Sequence, residues 1–159
     1  MRKKEREVLE FGEMLKIAGV CDVCRIGLQD GDAPYIVPLN FGYEERDGGL
    51  VLYFHGAKEG KKISLIKKNG GAASFEMDCG HGLLQSGEIA CTSSWRYQSV
   101  IGRGNIEILE DLQEKEHGLR LILSHYGVRK GLPMNPEHIE ETCVLRMTVS
   151  EWTCKRHEA

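Results

Sequence analysis

The stretch LYFHGAKEGKKI, residues 52–63, runs from strand-forming residues into His55 and Gly56 and then releases Lys58, Lys61 and Lys62. An apolar strand that opens into small residues and ammonium groups has the makings of an anion site. Backbone N–H groups around residues 56–60 can point outward where a helix begins. Helix N-termini attract negative charge through unpaired amides and the macrodipole. Lys61 and Lys62 add full charges, so a phosphate monoester would satisfy the whole turn. The plainer reading is a solvated lysine face, the usual fate of a charge run. Two nucleotide motifs are excluded. A P-loop needs Ser or Thr where Lys62 stands and one more residue between the glycines than Gly56 and Gly60 have. Gly102-Arg103-Gly104 lacks the third glycine of a dinucleotide fingerprint.

Cysteine and histidine offer weaker chemistry. Cys21-Asp22-Val23-Cys24 has the spacing of half a zinc site, but Cys79, Cys91, Cys143 and Cys154 are solitary, so no second close pair completes it. A redox pair normally precedes a helix that lowers a thiol pKa. This one precedes a strand, so small apolar buried cysteines are the expectation and no metal site is assigned. His81, in DCGHG, reads as a solvated loop residue.

The elements that must hold these groups follow from periodicity and punctuation. Val8, Phe11, Leu15 and Ala18 suggest a helix over residues 5–18, ended by Gly19. VCRIGL (23–28) and APYIVPLNFGYE (33–44) read as strands around a Gln29–Asp32 turn. Tyr35, Val37, Leu39 and Phe41 fall on one face, and Pro38 suits an edge or a bulge. LVLYFH (50–55) is a third strand, residues 58–69 a short helix, and AASFEM (72–77) a fourth strand. After a DCGHG loop, residues 83–91 and 95–110 supply two more, with Gly102 and Gly104 at a sharp bend. A helix begins at Asp111 in a capping pattern with Glu114 and closes at Gly127. NPEHIEE (135–141) is a short helix and CVLRMTV (143–149) the last strand. Six or seven strands with peripheral helices suggest a mainly β, small closed barrel, one domain over residues 1–159.

Composition narrows the class. The chain has 159 residues, 41% hydrophobic and 28% charged, with a net charge of −3. That mix is ordinary for a globular protein and argues against a general nucleic-acid binder. The N-terminus begins basic and lacks the apolar run of a secretory signal, and no stretch approaches a membrane span. A cytoplasmic protein with reduced thiols is expected.

Three blocks in order, CDVCRIGLQDGDAPYIVPLNFGYE, LYFHGAKEGKKISLIKKN and SWRYQSVIGRGNIEIL, resemble the FMN-binding split-barrel proteins related to pyridoxamine 5′-phosphate oxidase. Within them the likeness is to the 5-nitroimidazole-resistance (Nim) flavoproteins, and it spans roughly residues 1–155. The resemblance implies an antiparallel, Greek-key-like split β-barrel with flanking α-helices. It also implies a homodimer with FMN at the subunit interface. On that pattern Val37, Pro38, Leu39 and Asn40 lie along the flavin, with Val37 and Leu39 shielding one side of the ring. Phe54, His55, Lys61 and Lys62 hold the ribityl phosphate. Ser99 reaches the cofactor from a later strand, and Trp95 and Arg96 lie near the dimer-related edge.

The departures are equally specific. The oxidase has arginines where Val37 and Gly60 stand here, and its arginine-rich C-terminal substrate motif is replaced by EWTCKRHEA. Oxidation of pyridoxamine phosphate is therefore not expected. Cys154 occupies a position that is often glycine in the Nim-like proteins. The implied activity is an FMN-dependent oxidoreductase acting on small flat acceptors such as nitroaromatics. The alternatives are a flavin-binding or redox-sensing module without turnover, and a split barrel that binds haem or a deazaflavin. No side chain is required as a nucleophile; His55 is the one substrate-side candidate.

Overall fold

Capping and pairing decide where the N-terminal elements begin. In the computed structural model, which describes residues 3–84 and 88–158, a 3-10 turn at Lys4–Arg6 and the short β1 (Glu7–Val8) precede α1 (Phe11–Val20). The helix thus starts later than residue 5. The Glu10 carboxylate accepts from the amides of Gly12 and Glu13 at 2.9 and 2.7 Å, which fixes the first turn. Glu7 and Val8 are instead drawn into the sheet opposite Lys155 and Cys154.

The remaining elements are β2 (Cys24–Asp30), β3 (Ala33–Leu39), β4 (Phe41–Arg46), β5 (Gly49–Gly56), α2 (Lys61–Lys68), β6 (Ala72–Leu84), β7 (Ser94–Leu109), α3 (Leu112–His125), α4 (Pro136–Glu141) and β8 (Cys143–His157). The strands form one eight-stranded antiparallel sheet, in the order β3-β2-β6-β7-β8-β5-β4, with β1 alongside β8. One core gathers residues from all around this path, among them Ile26, Phe41, Leu52, Phe54, Phe75, Val100 and Met147. The sheet therefore curls around its own apolar face: a mainly β split barrel with flanking helices.

Three expectations change. The strand read over 33–44 divides at Asn40, because β3 pairs with β2 at one end of the sheet and β4 with β5 at the other. DCGHG is not a loop: residues 78–82 continue β6, and a register shift between Cys79 and Gly82, with Gly80 at φ 67°, absorbs the irregularity. Of the strand expected at 83–91, residues 83–84 belong to β6, 90–92 form a 3-10 turn, and 85–87 lie outside the described residues. His81 sits in that strand and contacts Asp78 at 2.8 Å. The bend expected at Gly102 and Gly104 coincides with a register shift between Arg103 and Gly104.

Helix α3 covers β4 and β5. Asp111 caps it through the amides of Gln113 and Glu114. A second cluster, Val51, Tyr53, Leu109, Ile122 and Val144, seals beneath it. The close approach depends on glycine: a Cβ on Gly118 would lie 2.6 Å from the Tyr53 ring. The far end is pinned by Tyr126, whose hydroxyl donates to the Asp22 carbonyl at 2.6 Å and accepts from the Phe41 amide at 3.2 Å. Lys115, buried, donates to the Glu140 carbonyl at 2.7 Å and so ties α4 to α3. No described helix is long and apolar enough to cross a membrane.

Candidate functional site

The end of β5 and the start of α2 make the lysine turn. Gly60 is the N-cap residue at φ 119°, and no side chain caps the helix. The first-turn amides are therefore left for water or a ligand. Lys61 is already engaged: its ammonium meets Asp30 at 2.6 Å and sits 4.9 Å from the Tyr35 ring centroid. The hydrogen bond and charge of Asp30 raise its pKa. Lys62 differs. It folds back over the strand end, where a Cβ on Gly56 would lie 2.8 Å from its Nζ. Burial lowers its pKa, and no carboxylate pairs with it among the described residues.

His55 projects from the strand end into a cavity of about 350 Å3 whose other wall is α3, α4 and the segment between them, including Ile122, Met134, His138 and Ile139. Surrounding protein, and secondarily Lys62, hold the His55 pKa below its usual 6.5. The neutral imidazole is thus the resting form near neutral pH. The folded state takes up its proton less readily than the unfolded chain, so His55 costs stability as pH falls through 6.5 and adds nothing above it. His55→Gln is expected to flatten the stability curve between about pH 7 and pH 5. Urea midpoints across that range check it, and an unaltered acid limb would refute the assignment.

The other expected site residues occupy two further places. β3 is an end strand of the sheet, so its outer edge carries backbone groups without a strand partner among the described residues. Val37 and Leu39 turn inward and pack on the core, whereas Pro38 and Asn40 are exposed. Both are only partly buried, because the strand alternates and its core-facing side is half covered. Phe54 is fully buried among core neighbours and has strand partners on both sides, Phe41 and Leu145.

Trp95, Arg96 and Ser99 lie on β7. Gly56 pairs with Cys143 on β8 while Ser99 pairs with Lys155. Along β8 these two partners are twelve residues apart, with a register shift between them. Trp95, Ser99 and Ile101 share the outer face of β7, and Leu83 is the cross-strand partner of Trp95. Leu83, Trp95 and Ile101 are 62%, 51% and 58% exposed. Arg96 points the other way and donates to the Gly80 carbonyl at 3.2 Å.

Reading the sequence did not associate His138 and Met134 with His55. No local spacing links residues so far apart in the chain; only the seating of α4 against α3 does. Cys21 and Cys24 are buried, and desolvation pushes the thiol pKa of both well up. Among the described residues, no three His, Cys, Asp or Glu side chains come together as a metal site.

Comparison with known proteins supplies the context. The profile of the pyridoxamine 5′-phosphate oxidase family matches residues 13–156. A crystal structure from Bacteroides thetaiotaomicron, provisionally assigned as a 5-nitroimidazole antibiotic resistance protein, is 30% identical with a TM-score of 0.81, over 94% of this chain and 85% of that one. The flavocytochrome of Azotobacter vinelandii shares the fold at 20% identity and a TM-score of 0.80, over 100% of this chain and 72% of that one. An FAD- and haem-binding protein of Mycobacterium smegmatis does so at 17% identity and 0.81, over 97% and 74%. No curated protein matches the sequence at a significant level.

Proposed function

Since the chain belongs to the pyridoxamine 5′-phosphate oxidase family of split-barrel proteins, we propose that it is an FMN-binding oxidoreductase that reduces small flat acceptors of the nitroaromatic type. The observation that carries this reading is Lys62: a half-buried ammonium with no carboxylate partner among the described residues, next to helix amides that no side chain caps. A phosphate seated there would neutralise the lysine and accept from the first-turn amides. Gly56 leaves the space that Lys62 uses. The residues present thus fit the phosphate of FMN, although the oxidase arginines at positions 37 and 60 are absent.

Bound flavin would supply the electron-transfer chemistry; the chain positions and shields it. The open edge of β3 offers backbone donors and acceptors to a heterocycle, and Pro38 and Asn40 stand on its exposed face. His55, neutral near pH 7, can donate one hydrogen bond toward a ligand in its cavity. The separation of Ser99 and Trp95 from the lysine turn along the sheet favours a homodimer in which the β7 outer face of one copy completes the site of the other. The exposed Leu83, Trp95 and Ile101 supply an apolar surface for that contact.

The test is the visible absorption spectrum of the purified protein and the mass of its released chromophore, followed by anaerobic reduction and addition of a 5-nitroimidazole. Flavin peaks, the mass of FMN and reoxidation by the nitro compound are expected. A colourless protein that takes up no FMN overturns the cofactor assignment. Retained FMN that no nitro compound reoxidises overturns the reductase reading and leaves a flavin-binding module.

A further inference from the structure

A second cleft of about 390 Å3 lies between α3 and the segment that leads to α4. That volume suits a small organic molecule. Three of the chain's large exposed apolar side chains, Leu123, Val128 and Leu132, line it at 39%, 40% and 41% exposure. Its charged lining is entirely basic: Arg120, Arg129 and Lys130, with His117 beside them and no carboxylate. This is not a reflection of composition, since the chain as a whole carries −3. Two of these basic groups are spoken for. Arg120 is held by Glu116 at 2.6 Å and donates to the Leu132 carbonyl at 3.2 Å, and His117 contacts Glu44 at 2.9 Å. Arg129 and Lys130 have no ion-pair partner among the described residues. The turn that carries them is shaped by Gly127 and Gly131, both in the left-handed region at φ 77° and 82°.

We propose that this cleft binds a small amphipathic carboxylate, with its flat or short-chain apolar body against Leu123, Val128 and Leu132 and its acid group on Arg129 and Lys130. Charge complementarity selects an anion, and the three apolar walls select one with an apolar body rather than an inorganic ion. Leu123, Pro133 and Met134 also line the His55 cavity, so the inner end of the ligand rests against a partition shared with the proposed cofactor side. Binding in the cleft needs neither the flavin nor a second subunit.

The protein as purified is titrated calorimetrically with naphthoate and with its neutral analogue naphthalenemethanol. Naphthoate is expected to bind about tenfold or more tightly than the alcohol. In Arg129→Ala/Lys130→Ala, whose changes lie on the exposed rim, naphthoate affinity should fall to that of the alcohol with an unchanged melting temperature. Val128→Trp, which fills the cleft, should weaken both ligands. Equal binding of acid and alcohol, no loss in the double variant, or no binding of naphthoate at millimolar concentration overturns the proposal. Chromophore absorbance read in the same samples keeps this outcome separate from the cofactor assignment.

Discussion

Lys62→Ala is expected to weaken FMN binding by about ten- to a hundredfold, while Lys61→Ala costs no more than about threefold. The two lysines are neighbours in sequence, yet their surroundings differ. Lys61 spends its charge on Asp30 and the Tyr35 ring at an exposed position, where solvent screens such a pair. Lys62 is half-buried, and its pKa is lowered by desolvation with no carboxylate to offset it. A charge-assisted hydrogen bond from such a group contributes roughly 1.5–3 kcal/mol, and each ~1.4 kcal/mol is tenfold in affinity. Flavin fluorescence quenching on titration into apoprotein measures both variants. Riboflavin, which lacks the phosphate, provides the control: its affinity should be the same in Lys62→Ala and the parent. The apo variant should also melt no lower than the parent, because an unpaired, partly desolvated charge contributes nothing to folding. A larger loss for Lys61→Ala than for Lys62→Ala would move the phosphate off this turn.

The largest loss of stability is expected from Gly42→Ala. Gly42 lies in β4 directly beneath α3, and an added Cβ would lie 2.5 Å from the carbonyl carbon of Leu121 and still nearer the Ile122 amide nitrogen. These are backbone atoms, so no rotamer change relieves the clash. Either α3 lifts from β4 or the strand bends. Lifting would expose Val51, Tyr53 and Ile122 and release walls of both cavities. Overpacking against backbone costs about 3 kcal/mol or more, or on the order of 10 °C in melting temperature for a chain of this size. Gly49→Ala is the control, because its Cβ would meet only the Arg46 carbonyl at an ordinary 3.5 Å; it should shift the melt by no more than a few degrees. Equal melting of the two variants would show that α3 is not seated as described.

Local physical chemistry made much of this protein legible before any coordinates. The Gln29–Asp32 turn between strands read at 23–28 and 33–44 marks a hairpin, Asp111 and Gly127 bracket α3, and paired glycines mark a register shift of β7 against β8. These are signals between near neighbours, where propensity, capping and backbone freedom act alone. The order of blocks also sufficed to place the chain in its family. The failures have a common origin. The break at Asn40, the continuation of β6 through DCGHG and the later start of α1 each depend on a distant partner strand or a cap that competes with periodicity.

The candidate site divides along the same line. Sequence by itself determined that a strand ends in a histidine and a lysine-rich helix start, because the residues are consecutive. Only the tertiary structure decided which lysine is free, since Asp30 reaches Lys61 through the packing of α2 against β2 rather than through chain proximity. Only the curl of the sheet decided that Val37, Leu39 and Phe54 serve the core while Pro38 and Asn40 face out. The apposition of His55 with His138 arises from α4 docking on α3 through Lys115 and the Glu140 carbonyl. Burial and charge pairing are properties of the assembled fold, and residue order constrains them only after the sheet has closed.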